Sequence, residues 1–361
     1  MSWWDINYKR GDFRSWLTNE GSLFKFKGDT RVDRKTLKHL DLFSGYGGFT
    51  IPASKYGIET INFSEIDKYA TAVLKYRFPD IKNLGDITKI KGEDLPDVDI
   101  ITGGSPCQDL SVAGKGAGLD GGRSGLFFCF INLIKEKQPM YFVWENVKGA
   151  FSSSKGWDFA RVQIEMEQAG YDVFWQLLNA KDFGVPQNRE RIFAIGVRKG
   201  SGREILFEQI SSSQDNKARK QVSSTIHAGY YKQGGRDQQY KSRRSQVIVH
   251  NLQPRSPNRP SLLKNKNAGG SGHLQREDGI TYTVDTGGTQ GVDLGDMRIR
   301  RLTPTECERL MGLKDGWTAK GIIDGKEVDI SDTQRYKLCG NGVVVNCVDY
   351  IYNLITKSYE R

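Results

Sequence analysis

The chain has 361 residues, of which 37% are hydrophobic and 27% charged, and its 53 Lys and Arg against 43 Asp and Glu give a net charge of +10. That is length enough for two domains with an ordinary soluble composition; no apolar run reaches a membrane span, and residues 1–20 are too polar and aromatic for a signal peptide. Five cysteines without metal-ligand spacing argue against a disulfide framework and make a reducing cytoplasm the expected setting, while the positive charge points to a polyanionic partner.

Residues 1–37 carry Trp3, Trp4 and Trp16 among lysines and arginines; an extension packed on the domain surface is expected, a DNA-contacting arm being the alternative. Strands and helices then alternate. Residues 40–43 read as a strand, Ser44 to Gly48 as a tight turn, 49–56 as a helix stopped by Gly57, and 58–63 as a second strand ending at Ser64-Glu65-Ile66-Asp67. The order strand, glycine loop, helix, strand, acid places a carboxylate about twenty residues past the glycines. Such glycines let a ligand approach the backbone, and such a carboxylate accepts from ribose hydroxyls. No Gly-Lys-Ser/Thr follows, which excludes a P-loop, and the spacing is not G-x-G-x-x-G, which disfavours a dinucleotide. A nucleoside-like ligand without pyrophosphate fits, S-adenosyl-L-methionine being the common one.

Residues 68–76 read as a helix ending before Pro79, Gly85-Asp86-Ile87 as the close of a short third strand, and 98–102 as a buried parallel strand. Gly103-Gly104-Ser105-Pro106-Cys107-Gln108 stops that strand and delivers a thiol at its carboxyl end, where open α/β sheets bind ligands. A glycine-rich stretch to Gly125 follows. A buried structural cysteine is the plainer alternative. Further on, 126–135 and 158–169 read as helices, 141–144 as a strand running into Glu145-Asn146-Val147, and 171–179 and 191–197 as strands flanking Phe183 to Glu190. The alternation predicts, for 38–199, an α/β domain with a doubly wound, mostly parallel Rossmann-like sheet and helices on both faces.

The composition changes near Lys199. Residues 200–298 are rich in Ser, Gly, Asn, Gln, Lys and Arg, with short β-like pieces at 247–249 and 280–284 and interleaved Tyr230, Tyr231, Tyr240 and Tyr282. A small, loop-rich β-type domain is expected, disorder being the alternative, with Lys232, Arg236, Lys241, Arg243 and Arg244 forming a basic face for phosphates. Order returns over 299–361. Thr303-Pro304-Thr305-Glu306 starts a helix with a capping box, and Gly340-Asn341-Gly342 is expected to open a final helix over 343–355 that docks on the first sheet.

In this order the stretches resemble a DNA (cytosine-5) methyltransferase of bacterial or phage type. The resemblance runs from about residue 39 to 355. It rests on Asp41-Leu42-Phe43-Ser44-Gly45-Tyr46-Gly47-Gly48, Gly103 to Gln108, Arg123-Ser124-Gly125-Leu126-Phe127, Glu145-Asn146-Val147 and Gln187-Asn188-Arg189-Glu190-Arg191, and later on Arg301 to Glu306 and Gly340 to Val345. Each motif is only moderately specific; the ordered set is highly specific.

The resemblance implies methylation of cytosine C5 in double-stranded DNA at a specific sequence, using S-adenosyl-L-methionine. The base is flipped from the duplex, and Cys107 adds transiently to C6. Glu145 is implied on the N3/N4 edge of the cytosine and Arg191 on O2, with Arg189 supporting them. For the cofactor it implies Phe43 against the adenine, Glu65 on the ribose, Asp86 on the adenine amine, and Asn341 and Val343 on the methionine side. Ser44, Gly45, Gly47, Gly48, Ile66, Ile87, Pro106 and Leu126 complete that pocket. Residues 200–298 fall where the family carries its target-recognition domain. DNA contacts are expected from Ser111, Lys115, Arg123, Tyr231, Lys232, Arg236, Arg243, Arg244 and Thr283. No metal is expected; a monomer is, and a cognate restriction endonuclease is a candidate partner acting on the same site.

Other readings fit less well. A thiol hydrolase needs a positioned histidine, and His39, His227, His250 and His273 lie in no recognisable base motif. A nicotinamide oxidoreductase leaves Pro106-Cys107 and Glu145-Asn146-Val147 unexplained. A catalytically silent DNA-binding protein does not need Cys107, Glu145 and Arg191. The tRNA-acting branch of the same family typically carries a Cys-Phe-Thr phrase in its recognition region, and 200–298 contain no cysteine.

Overall fold

The computed structural model describes residues 36–106, 125–151, 157–207, 249–251, 274–276, 280–293 and 299–360. The expectations for 1–35, for Cys107 and the loop after it, and for most of 200–298 lie outside the described residues.

The chain enters the sheet with β1 (Leu37–Leu42), buried at five of its six positions as a central parallel strand requires. After the glycine turn comes a short helix, α1 (Thr50–Ala53), then a 3-10 turn at Ser54–Tyr56 that Gly57 ends at φ 68°. The expected helix over 49–56 is therefore α-helical for one turn only. Next come β2 (Ile58–Ser64) and α2 (Lys68–Arg77), whose N-cap Asp67 accepts from the Tyr69 and Ala70 N–H groups. The third strand, β3 (Lys82–Asn83), lies just before the residues expected to close it. Asp86 instead caps a 3-10 turn, Ile87–Lys89, because its carboxylate accepts from the Thr88 N–H.

β4 (Ile100–Gly103), α3 (Gly125–Lys137), β5 (Tyr141–Val147), α4 (Trp157–Gln168), β6 (Tyr171–Asn179) and β7 (Glu190–Arg198) complete the main sheet. Its order is β3-β2-β1-β4-β5-β7-β6. The pairs among β3, β2, β1, β4 and β5 are parallel, and β7 runs antiparallel between β5 and β6. At Gly196 an added Cβ would lie 1.9 Å from the Phe142 ring, so this register admits only glycine there.

A second, four-stranded sheet has the order β11-β10-β8-β9, from β8 (Val249–Asn251), β9 (Leu274–Arg276), β10 (Gln290–Asp293) and β11 (Ile299–Arg301). Its pairings are antiparallel. α5 (Pro304–Leu310) has the expected capping box between Thr303 and Glu306.

The hairpin β12 (Lys320–Ile323) and β13 (Lys326–Asp329) and the helix α6 (Asp332–Asn341) were not foreseen, and α7 (Val345–Tyr359) ends the chain. Gly340 and Asn341 thus close α6 rather than open the last helix. A glycine-asparagine pair is as good a C-terminal signal as a turn signal, and the polar sequence of α6 carries no clear apolar stripe.

Two cores flank the main sheet. On one face Leu37, Val143 and Ile195 pack with α7 through Val348, Ile351 and Ile355. On the other, Leu40, Ile101 and Trp144 pack with Phe127 and Phe130 of α3. Helices therefore cover both faces, and the strand order reverses between β1 and β4. The crevice beyond the carboxyl ends of those two strands is where such a sheet receives its ligand. No described helix is long and apolar enough to cross a membrane.

Candidate active site

The turn after β1 is built on backbone that other residues cannot supply. Gly45 and Gly47 have φ of 56° and 86°, and at Gly48 a Cβ would lie 2.6 Å from Val343 Cγ1. Phe43 also sits at φ 54°, an uncommon conformation for a side-chain-bearing residue, and breaks the strand just before the turn. The Ser44 hydroxyl donates to the Asp41 carbonyl at 2.6 Å, and its N–H donates to the Ser64 carbonyl at 3.3 Å, tying the turn to β2.

Glu65 follows β2 with both carboxylate oxygens oriented by backbone. Oε2 accepts from Gly45 N–H at 2.8 Å, and Oε1 accepts from Ile66 and Asp67 N–H at 2.9 and 2.8 Å. Asn83 holds the same residue through both main-chain groups: it accepts from Glu65 N–H at 3.0 Å and donates to the Glu65 carbonyl at 2.9 Å. Oε1 is thereby committed to two donors, while Oε2, with one, keeps a lone pair for an outside donor. Beside it Ile66 is 74% exposed, a large apolar side chain at the lip of the crevice. Asp86 is half-buried, its carboxyl held below the usual range by the Thr88 N–H, while Ile87 is buried.

A polar chain runs under this edge. Asp41 is fully buried; its Oδ2 accepts from the Thr50 hydroxyl at 2.8 Å and its Oδ1 finds no hydrogen-bond partner. Burial pushes its carboxyl up to about 8, against the pull of Thr50. Thr60 donates to Thr50 at 3.1 Å, and His39 spans Thr60 and Thr102 at 2.7 and 2.8 Å. Since Thr60 gives its proton to Thr50, it accepts from His39 Nδ1–H, and Nε2 accepts from Thr102. Burial keeps this imidazole neutral, down to about 3.

The second half of the edge is set by β4 and β5. Ser105 is gripped from β5: Trp144 Nε1–H donates to its hydroxyl at 3.0 Å and the Asn146 amide donates to its carbonyl at 3.3 Å. The turn passes so close to Glu145 that a Cβ on Gly104 would lie 2.8 Å from Glu145 Oε2. Glu145 is paired with Arg191 on β7, Nε to Oε1 at 3.1 Å, both side chains largely buried. The pairing follows from register: Val147 faces Arg191, so Glu145, two residues back on the same face, is its diagonal neighbour. Burial raises the affinity of the Glu145 carboxyl for a proton, with Arg191 and Arg189 opposing.

Arg189 is placed differently. Its guanidinium donates to the carbonyls of Val284, Gly340 and Gly342 at 3.2, 3.0 and 2.7 Å, joining three segments far apart in the chain. It builds the wall behind Glu145 and Arg191. Gln187 extends that wall, donating to the Leu310 carbonyl at 2.9 Å and accepting from Val284 N–H at 2.9 Å.

Phe43, Ser44, Gly45, Gly47, Gly48, Glu65, Ile66, Asp86 and Ile87 thus gather at the carboxyl edge of β1, β2 and β3, and Pro106 and Glu145 at that of β4 and β5, beside Arg191 at the amino end of antiparallel β7. From the far end of the sequence Val343 packs on Gly48, whereas Asn341 is exposed at the end of α6. Leu126 lies in the first turn of α3 and packs against the core that holds Phe127 and Phe130. The Thr283 hydroxyl donates to the Asn188 carbonyl at 2.7 Å. Cys107, Ser111, Lys115, Arg123, Tyr231, Lys232, Arg236, Arg243 and Arg244 lie outside the described residues. Among the described residues no group of His, Cys, Asp and Glu is placed to hold a metal ion.

Residues 37–357 match the family described as C-5 cytosine-specific DNA methylase. The chain belongs to that family. The methylase is 33% identical over 339 residues to the Type II methyltransferase M1.ScrFI of Lactococcus lactis subsp. cremoris, covering 91% of this chain and 81% of the relative. It is 31% identical to the Type II methyltransferase M.HhaI of Haemophilus parahaemolyticus, covering 88% and 94%. The Dnmt2 methyltransferase of S. pombe shares its fold at a TM-score of 0.56 and 17% identity, over 90% of this chain and all of that one.

Of the residues that shape the methylase site, Asn83 and Trp317 carry no signal in the sequence, and Tyr46 is marked only as part of the glycine turn. Asn83, Tyr46 and Trp317 act through contacts to Glu65, Val343 and the glycine turn; two of these contacts span 271 and 297 residues, and nothing local marks them.

Proposed function

We propose that this methylase uses S-adenosyl-L-methionine to methylate C5 of a cytosine flipped out of double-stranded DNA, with Cys107 as the transient nucleophile. The observation that carries the reading is the buried Glu145–Arg191 pair packed against the Gly104 turn, three residues before Cys107. The nucleoside site fits the cofactor: Glu65 holds an oriented oxygen, Oε2, with a lone pair left for a ribose hydroxyl, Phe43 and exposed Ile66 offer apolar surface to an adenine, and Asp86 offers an acceptor to its amine. Gly45, Gly47 and Gly48, with Val343, line the methionine side, and the bound cofactor supplies an electrophilic methyl group.

C5 of cytosine is a weak nucleophile. Addition of the Cys107 thiolate to C6 moves the C5–C6 electron pair toward C5 and makes the ring enamine-like. Glu145, held ready to carry a proton by burial, binds the N3/N4 edge and neutralises the charge that develops there, while Arg191 faces O2. Once C5 carries the methyl group, loss of its proton returns the electron pair to the ring and expels the thiolate. Flipping is required because, in the duplex, stacked neighbours cover the ring face that the thiolate attacks at C6 and pairing occupies N3. Residues 200–298 would choose the target, with Ser111, Lys115, Arg123, Tyr231, Lys232, Arg236, Arg243, Arg244 and Thr283 as contacts to DNA. A restriction endonuclease sharing that target is the proposed partner.

A duplex carrying 5-fluorocytosine at the target tests the chemistry, because fluorine cannot leave as a cation. With the cofactor it should form an enzyme–DNA adduct that survives denaturation, and Cys107→Ser should not. A Cys107→Ser protein that still methylates at an appreciable rate overturns the mechanism.

A further inference from the structure

The glycine turn is fixed from a distance. The peptide plane between Tyr46 and Gly47 is pinned at both ends: Gly47 N–H donates to the Ser44 carbonyl at 2.8 Å, and the Tyr46 carbonyl accepts from the Trp317 indole N–H at 3.1 Å. With glycine on both sides of Tyr46 the main chain has room to turn, so, beside the buried Tyr46 side chain held by the Val343 carbonyl, those two bonds set the direction of this plane. The indole is itself well held. The Arg77 guanidinium lies 4.7 Å from its ring centroid and donates to the carbonyls of Gly316 and Trp317 at 2.5 and 2.9 Å. The Phe78 ring lies 6.0 Å from the indole and also backs Gly47, where a Cβ would come within 2.8 Å of it.

We propose that Trp317 is a positioning residue for the cofactor, holding the Tyr46–Gly47 peptide in the one orientation in which the turn accepts the methionine end of S-adenosyl-L-methionine. This rests on the cofactor reading of the turn given above. The neighbouring Gly45 N–H is already committed to Glu65. A change at Trp317 therefore reaches the carboxylate proposed for the ribose through one residue of backbone.

Trp317→Phe keeps an aromatic ring against Arg77 and Phe78 and removes the donor. Calorimetry should show the dissociation constant for S-adenosyl-L-methionine rising about five- to tenfold, as expected for one lost hydrogen bond. With saturating cofactor, kcat and the KM for DNA should stay unchanged, and the melting midpoint without ligand should fall by no more than the loss of one hydrogen bond explains. Arg77→Met, which frees the indole without touching the turn, should give a smaller rise and serves if Trp317→Phe does not fold. Unchanged affinity in these variants, while Glu65→Ala weakens binding, overturns the role of Trp317 and leaves the cofactor site standing. Unchanged affinity in Glu65→Ala as well overturns both. A parallel loss of kcat, affinity and melting midpoint in Trp317→Phe also overturns the proposal, since that is the mark of general structural support.

Discussion

Asp41 is the residue whose chemistry differs most from its type. A carboxyl with an ordinary value of 3.8 is pushed up to about 8 by complete burial with one oxygen unpartnered. The folded state therefore holds the proton more tightly than the unfolded chain does. The stability this gives is fully present below about pH 4 and is lost as pH rises toward 8, by up to about 1.4 kcal/mol per pH unit. Asp41→Asn removes that dependence. Measured by denaturant unfolding without ligand, the stability of the variant relative to the parent should rise steadily from pH 5 to pH 8. His39, held neutral, acts in the opposite sense below its ordinary value of 6.5, but it is common to both proteins and cancels. A difference that is flat across this range counts against the buried acid.

At the scale of elements, the architecture turns on how the last third of the chain returns to the sheet. Arg189 at the mouth of β7 binds the segment around Val284 and the end of α6 with one buried guanidinium. A flat fork serving three carbonyls cannot be copied by an ammonium group. Arg189→Lys should leave acceptors unpaired and destabilise the fold by about 2–4 kcal/mol. Trapping on 5-fluorocytosine DNA should slow rather than vanish, because Glu145 and Arg191 remain. Abolition of trapping at full stability would instead place Arg189 among the groups that touch the base. The same return explains the reading of Gly340-Asn341-Gly342. The motif marks the right place, yet it ends a helix, and the extended backbone of Val344 just before α7 is what lets Val343 lie on Gly48.

For the whole molecule, chemistry and specificity are expected to separate. The motif residues converge on one sheet edge, and residues 200–298 differ from the rest in composition. Exchange of 200–298 for the equivalent segment of a relative should move methylation to the relative's site, read by bisulfite sequencing of DNA from a methylation-free host. An active chimera that still modifies the original site would sink the separation. Described residues 280–284 are tied to the catalytic scaffold: Thr281 and Val284 bond to Pro186 and Gln187, and Thr283 to Asn188. A chimera that keeps 280–298 should therefore be the more stable one.

The sequence by itself determined the alternation of strands and helices, the glycine turn, the acid after the second strand and the order of the motifs. Each is written in local patterns a few residues long: buried runs, turn formers and caps. It also placed Glu145 and Arg191 near the ends of strands, though neither the adjacency of those strands nor the pairing, which depend on the sheet order and the antiparallel register of β5 and β7. The helix α6 and the grip of Trp317 and Arg189 were decided only by tertiary structure, whereas the hairpin before α6 does carry a local mark, the Asp324-Gly325 turn with both residues at positive φ. The contacts of Trp317 and Arg189 join residues from 95 to 271 positions apart, and a polar helix or a lone indole carries no mark of the partner that fixes it.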